Sequence, residues 1–197
     1  MNSRNGFTLV EMVISVVIIA ILLAIGMPFY RSFILNAQIR TAAESMQAGL
    51  NLARNEALRR NALVSLWMVN GVTGACVRSS SGTSWVVSFD NPVGACNSAV
   101  SETTSPRLIQ SRAGSDGSAS VGVVALDGAA PPVGSSCITF NGFGRVESAC
   151  TSGGAPIASI TFASTVPSTR TLRVHVESGG ATRMCNPAAA ATDPAYC

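Results

Sequence analysis

Lysine is absent from the 197 residues, and a single histidine, His175, is present. One imidazole leaves little material for a Ser-His-Asp triad or a multi-histidine metal site. Charged residues make up only 12% of the chain, about half the share of an ordinary soluble domain. Thirteen basic residues, all arginine, stand against ten acids for a net charge of +3, too little to argue by itself for a polyanionic partner. A solvated disordered chain is excluded from the other side, because 47% of the residues are hydrophobic. No Cys-x-x-Cys occurs, and His175 has no zinc-finger spacing from a cysteine pair, so no metal site and no cofactor are expected. No carboxylate pair, nucleophile constellation or phosphate loop stands out, and an enzyme is not expected.

Cysteine is missing from the first 75 positions and then appears six times, at Cys76, Cys96, Cys137, Cys150, Cys185 and Cys197. An even number without metal spacing reads as disulfides formed in an oxidising compartment. Six cysteines allow fifteen connectivities. The short local pairing would be Cys76–Cys96, Cys137–Cys150 and Cys185–Cys197, and the residues alone leave the choice open.

Charge is also missing from Met12 to Tyr30. With Phe7 to Val10 the apolar block is long enough, at about 1.5 Å per residue, to cross a hydrocarbon core of roughly 30 Å. A cleaved secretory signal fits poorly, since the block is long and no small-x-small site follows. A lipoprotein signal fits no better, since no cysteine follows the block. The one interruption, Glu11, is costly in a membrane helix and calls for a partner. As an acid near a helix N-terminus it also favours the helix dipole.

From Arg31 the pattern becomes amphipathic. Ile39, Ala43, Met46, Leu50, Ala53 and Ala57 form one apolar stripe, with Arg40, Glu44, Gln47, Arg54 and Arg59 largely off it. Small residues such as Gly49 suit close packing on a sheet. Continuous helix is predicted from Phe7 to about Ala62. Beyond it lie β-rich runs at 63–70, 84–89, 107–112, 120–126, 137–140, 144–147, 157–163 and 171–177. The runs are separated by loops rich in Ser, Gly, Ala and Thr. In the last run Leu172, Val174 and Val176 alternate with Arg173, His175 and Glu177, which puts His175 on a solvent-facing side. Asn141-Gly142 reads as a hairpin turn.

The amino terminus, Met1-Asn2-Ser3-Arg4-Asn5-Gly6-Phe7-Thr8-Leu9-Val10-Glu11 and the apolar span after it, resembles the class III signal of type IV pilins and type II secretion pseudopilins. Further on, Cys137-Ile138-Thr139-Phe140, the turn, and Gly144-Arg145-Val146 resemble the GspH/FimT minor pilin branch. So do Arg170 to Val174, Gly179-Gly180, Arg183 to Pro187 and the closing Asp193 to Cys197. The resemblance covers most of the chain, but not the stretch of about 71–136.

This resemblance implies an α+β, type IV pilin-like fold, with a long N-terminal helix packed on an antiparallel β-sheet domain. It implies a leader of residues 1–6, a membrane and filament-core helix at 7–30, an amphipathic helix at 31–62, and a β-rich domain at 63–197 ending in a Cys-bounded tail at 185–197. A prepilin peptidase would cut between Gly6 and Phe7 and methylate the Phe7 amine. Glu11 would pair with the amine of a neighbouring pilin, and Pro28 falls where the family's helix bends. The chain would be a single-pass inner-membrane protein with its C-terminal domain in the periplasm, moving later to the pilus and cell surface. Other minor and major pilins would be its partners. Three roles follow: a minor pilin in pilus priming and a tip complex, a type II secretion minor pseudopilin, or a DNA-binding pilin of natural transformation. The six cysteines and the Cys-bounded tail favour the pilus. The family's DNA-contact motif, Gly-Arg-x-Arg, is incomplete here, because the chain reads Gly180-Ala181-Thr182-Arg183. Arg183 alone carries over, with Arg170 and Arg173 as nearby candidates for weak, sequence-independent DNA contact.

Overall fold

The structure, a computed structural model, describes residues 8–167 and 169–197, without the side chains of Pro28 and Phe29. Its first element, α1, runs from Leu9 to Arg60, 52 residues, or about 78 Å at the α-helical rise. Thr8 caps it with a side-chain oxygen that accepts from the Glu11 amide at 3.2 Å. Asn61 ends it in the left-handed conformation, at φ 47°. Arg59 and Arg60 in the last turn complement the negative end of the dipole.

The helix has two unlike halves. From Leu9 to Met27 its side chains are exposed, including Val10, Ile14, Ile18 and Leu22. From Ile39 the predicted stripe is the core: Ile39, Ala43, Met46, Leu50, Ala53 and Ala57 are each at most 1% exposed.

Eight strands follow: β1 Val64–Val69, β2 Ser84–Ser88, β3 Leu108–Arg112, β4 Gly122–Leu126, β5 Cys137–Phe140, β6 Ser159–Ala163, β7 Leu172–Val176 and β8 Thr182–Cys185. They make two four-stranded antiparallel sheets, ordered β3-β2-β1-β5 and β4-β6-β7-β8. The helix packs on β1, β2 and β5 of the first sheet and on β6, β7 and β8 of the second. Leu66, Met68, Trp85, Ile138, Phe140, Ile160, Phe162 and Val174 meet the stripe in one core.

Every residue of β1 is buried, because both of its faces are covered. Val64, Leu66 and Met68 face the helix, while Trp67 and Val69 sit in a second, smaller core. That core includes Val86, Leu108 and the disulfides Cys76–Cys96 and Cys137–Cys150. The third disulfide joins Cys185 to Cys197. The long, polar 71–83 and 90–106 loops thus lie over a sheet face that would otherwise meet water.

Two strand readings need correction. Residues 144–147 form no strand; only Val146 bridges to Phe140. The Asn141 side chain takes the amides of Phe143 and Arg145. The Asn141 amide donates to Arg145 O and the Glu147 amide to Thr139 O, which makes that single bridge, while the Val146 amide points outward to Ser178 O; no further pair with β5 forms among the described residues. Conversely, β8 has no counterpart among the runs expected from the sequence. Its four residues, Thr182 to Cys185, carry too short an alternation to be read as a strand, and pairing with β7 is what orders them.

Candidate functional site

Two regions bear on function: the apolar half of α1 and the outer face of the second sheet. In the first, Glu11 is the sole charged residue between Thr8 and Tyr30. Its amide is spent on the Thr8 cap, and its carbonyl accepts from the Ser15 hydroxyl at 2.7 Å. The backbone groups of Glu11 itself are thus met locally, and its carboxylate remains on an exposed, otherwise apolar surface. Gly6 and Phe7 lie outside the described residues. The helix is continuous through Pro28, whose side chain also lies outside the description.

In the second region, β7 and β8 pair with His175 opposite Arg183 and Arg173 opposite Cys185. Directly paired residues project to one face, so Arg173, His175 and Arg183 share the side of the sheet turned away from α1, where Val174 points inward. Arg173 Nε donates to Thr161 Oγ1 at 3.2 Å, and Arg183 Nη2 donates to Tyr196 O at 3.4 Å. A shallow groove of about 600 Å³ lies along this face and also includes Asp127 and Glu177. Its potential is thus mixed in sign. Arg170 is not part of it. The Arg170 amide donates to Asn36 Oδ1, and the residue lines a different groove with Arg40, Leu172 and Met184. Of the three candidate cations, the fold gathers two.

The tail is fixed at both ends. Cys185–Cys197 closes it, and Asn186 bridges Tyr196 with its amide donating to Ala195 O. This covers the continuation of the β8 edge. Ala181, where the family motif would carry its first arginine, lies across from Glu177, whose amide donates to Ala181 O.

Several arginines that sequence reasoning assigned to no role carry the architecture. Arg54 donates from Nε to Gly144 O at 3.0 Å and from Nη2 to Gly179 O at 3.4 Å. It thereby ties α1 to both the Asn141 turn and the loop after β7. At the helix end, Glu56 accepts from Arg59 and Arg60, each at 2.7 Å, and Arg60 also reaches Glu102 at 2.9 Å. The Arg59 guanidinium holds the Glu56 carboxyl below the usual carboxylate range, with Arg60 adding to it and burial opposing. Phe89 meets two guanidinium groups, Arg60 at 5.1 Å and Arg107 at 4.8 Å from its ring centre. Arg107 in turn grips Asp90 through both oxygens, at 2.6 and 2.9 Å, and keeps that carboxyl below its ordinary range. The i+3 and i+4 spacing of Glu56 to Arg59 and Arg60 was a readable signal. The Phe89 stack, which joins residues distant in sequence, had none.

Several known proteins are similar to this chain in part. A region of 57 residues is 39% identical to a fimbrial protein of Moraxella nonliquefaciens. The match spans 27% of this chain and 37% of that protein. Two crystal structures of the type IV minor pilin FimU of Pseudomonas aeruginosa are similar at 13% identity, with TM-scores of 0.48 and 0.45. They cover 79% and 78% of this chain, and 93% and 98% of theirs. Residues 1–27 match the prokaryotic N-terminal methylation motif, and residues 42–180 match the family described as type II transport protein GspH. With a long helix under two antiparallel sheets and a pilin-type amino terminus, the chain belongs to the GspH family of pilin-like proteins.

Proposed function

We propose that the protein is a minor type IV pilin that takes part in pilus priming and a tip complex, anchored in the inner membrane before assembly. One observation carries this reading. The first half of α1 is apolar, exposed throughout from Leu9 to Met27, and interrupted by a single carboxylate. Such a surface is stable only in lipid or against other apolar helices, and a filament core supplies the second environment once the membrane is left behind. In that core an isolated carboxylate would cost several kcal/mol, and pairing with the amine of a neighbouring subunit offsets the cost. Glu11 then serves as a registration device. Prepilin peptidase, cutting between Gly6 and Phe7, would generate that amine, and the match to the methylation motif supports its modification. The C-terminal domain would face the periplasm, where disulfides form.

The family description favours a second reading, a minor pseudopilin of type II secretion. One experiment separates the two: delete the gene and measure surface pili, exoprotein secretion and transformation together. Loss of pili with normal secretion supports the pilus role. Loss of secretion with normal pili overturns it.

DNA contact is a subsidiary role in this reading, and the shared face of Arg173, His175 and Arg183 is what favours it. Two arginines beside Asp127 and Glu177 support only weak, sequence-independent, salt-sensitive binding. Arg183→Ala is expected to weaken electrophoretic shifts at low salt and Ala181→Arg to strengthen them, less than fully because Glu177 lies opposite. No shift at low salt would leave this face as a protein–protein surface.

A further inference from the structure

Beyond α1, the most exposed large apolar side chain among the described residues is Phe143, at 80%. It stands on the turn after β5, and that turn is firmly held. Asn141 Oδ1 accepts from the Phe143 and Arg145 amides at 3.0 and 3.1 Å, while Asn141 Nδ2 donates to Glu147 Oε1 at 2.8 Å. Arg145 is also exposed, and its guanidinium forms no ion pair among the described residues. A ring left in water adds little to the stability of the single chain. A rigidly presented aromatic beside a free arginine has instead the composition of an interface anchor.

Beside the turn lies a groove of about 520 Å³. Val146, Pro156 and Ala158, each partly exposed, form an apolar floor over the buried Ile157. Asp127, Glu147 and Glu177 also line it, and no basic residue does. None of these three acids forms an ion pair among the described residues. The groove thus lacks what the turn presents, an apolar side chain and a cation. Turn and groove are fastened side by side. Glu147 belongs to the groove and holds Asn141 of the turn. The Val146 amide donates to Ser178 O at 3.0 Å. One guanidinium, Arg54, reaches Gly144 O at 3.0 Å and Gly179 O at 3.4 Å, which sets the two features at one height on the molecule.

An isologous dimer needs a patch and its complement on one face, so that a two-fold axis between them exchanges both. We infer that this face pairs two copies of the chain about such an axis. Phe143 of each copy enters the groove of the other, and Arg145 meets Glu177 of the partner subunit. Both features sit near the C-terminal end of α1, where Leu58 lies beside Gly144. That is about 40 Å along the helix from Tyr30, too far for lipid to cover the ring. Two copies anchored in one bilayer carry parallel helices, and a turn and a groove at one height suit an axis along the membrane normal. The direction of the axis rests on the anchoring proposed above; the pairing does not.

The test measures the mass of the full chain in density-matched detergent micelles by sedimentation equilibrium, up to about 100 μM, a range that reaches weak interfaces. The wild type is expected to be a dimer at the upper end. Phe143→Ser should raise the dissociation constant by about tenfold or more and leave Tm unchanged, since the ring is exposed in the single chain. Arg145→Glu and Glu177→Arg should each weaken the dimer by setting like charges against each other. A chain carrying both should dimerise again. Association through the apolar halves of α1 would be indifferent to all of these substitutions. A wild type that stays monomeric, a dimer unchanged by Phe143→Ser, or no recovery in the double variant would overturn the inference. A monomeric wild type that binds a different pilin through Phe143 would also overturn it, giving the face to a heterologous partner.

Discussion

Gly49 sits in the middle of a helix, where propensity alone says that alanine would be better by about 1 kcal/mol. The tertiary structure says the opposite. A β-carbon at this position would lie 3.0 Å from Leu66 Cδ1 and 3.0 Å from both Cδ2 and Cε2 of Trp85. Ordinary carbon contacts fall near 3.5–4.0 Å, so both neighbours would have to yield by about 0.5 Å. The Leu66 methyl is the end of a flexible side chain and can give. The Trp85 ring has less freedom: it is 3% exposed, and its Nε1 donates to Ser45 Oγ at 3.1 Å, back onto the same helix. Overpacking of this kind costs about 1–3 kcal/mol. Against the propensity gain, Gly49→Ala is expected to destabilise the protein by about 1 kcal/mol. Gly49→Leu should exceed 3 kcal/mol, about the upper end of that range. In the proposed filament the loss would also bear on assembly, because the helix–sheet distance here sets how the β domain sits on the half of the helix that continues from the apolar segment. Urea denaturation followed by tryptophan emission measures it, since Trp85 is at the contact. For a protein of this size 1 kcal/mol corresponds to about 2–4 °C in Tm. A Gly49→Ala variant with a raised Tm would show that propensity wins and that the glycine does not set the helix–sheet spacing.

A bulky branched residue at position 6, such as Gly6→Val, is expected to block processing. Intact mass would then match a chain beginning at Met1, and normal maturation would refute the assigned cleavage point. Glu11→Ala should be processed and inserted normally yet be depleted from sheared pili; wild-type incorporation would leave Glu11 only its helix-dipole role. Asp90, held below its ordinary value by Arg107, contributes stability that is present above the unfolded value of about 4. That contribution is lost as pH falls through the lower folded value. Asp90→Asn should therefore flatten the decline of Tm in this acid range, and an unchanged acid profile would discount the pair. Denatured thiol titration should find no free cysteine, and a Cys76→Ser/Cys96→Ser double variant should lose about 3 kcal/mol in urea denaturation. A smaller loss would mean that Trp67 and its neighbours hold the 71–83 loop without the bridge.

The amino-acid sequence by itself determined the helix and its two halves. A run without charge and a stripe at 3.6-residue spacing are local patterns, and burial of Ile39, Met46 and Leu50 follows directly from them. It also determined most strand positions, because alternation such as Leu172, Val174 and Val176 is local too. The pilin-type amino terminus was equally legible, since its residues are contiguous. Other features depended on elements far apart in the chain. Nothing in the residues of β1 foretold that both its faces would be covered, for the second cover comes from loops that fold back over Trp67. Fifteen disulfide pairings were open until chain reversals brought each cysteine to its sequence neighbour. Arg170 and Arg173 stand three residues apart, yet only Arg173 joins Arg183. The register of β7 with β8 decides that, while Arg170 precedes the strand and is drawn to Asn36 on the helix. A groove lined by Arg31 and Gln38 likewise exists only because residues 164–166 come to rest against the helix where it leaves its apolar half. Periodicity is written along the chain, whereas a face or a groove needs two segments at once, and their meeting is settled by packing.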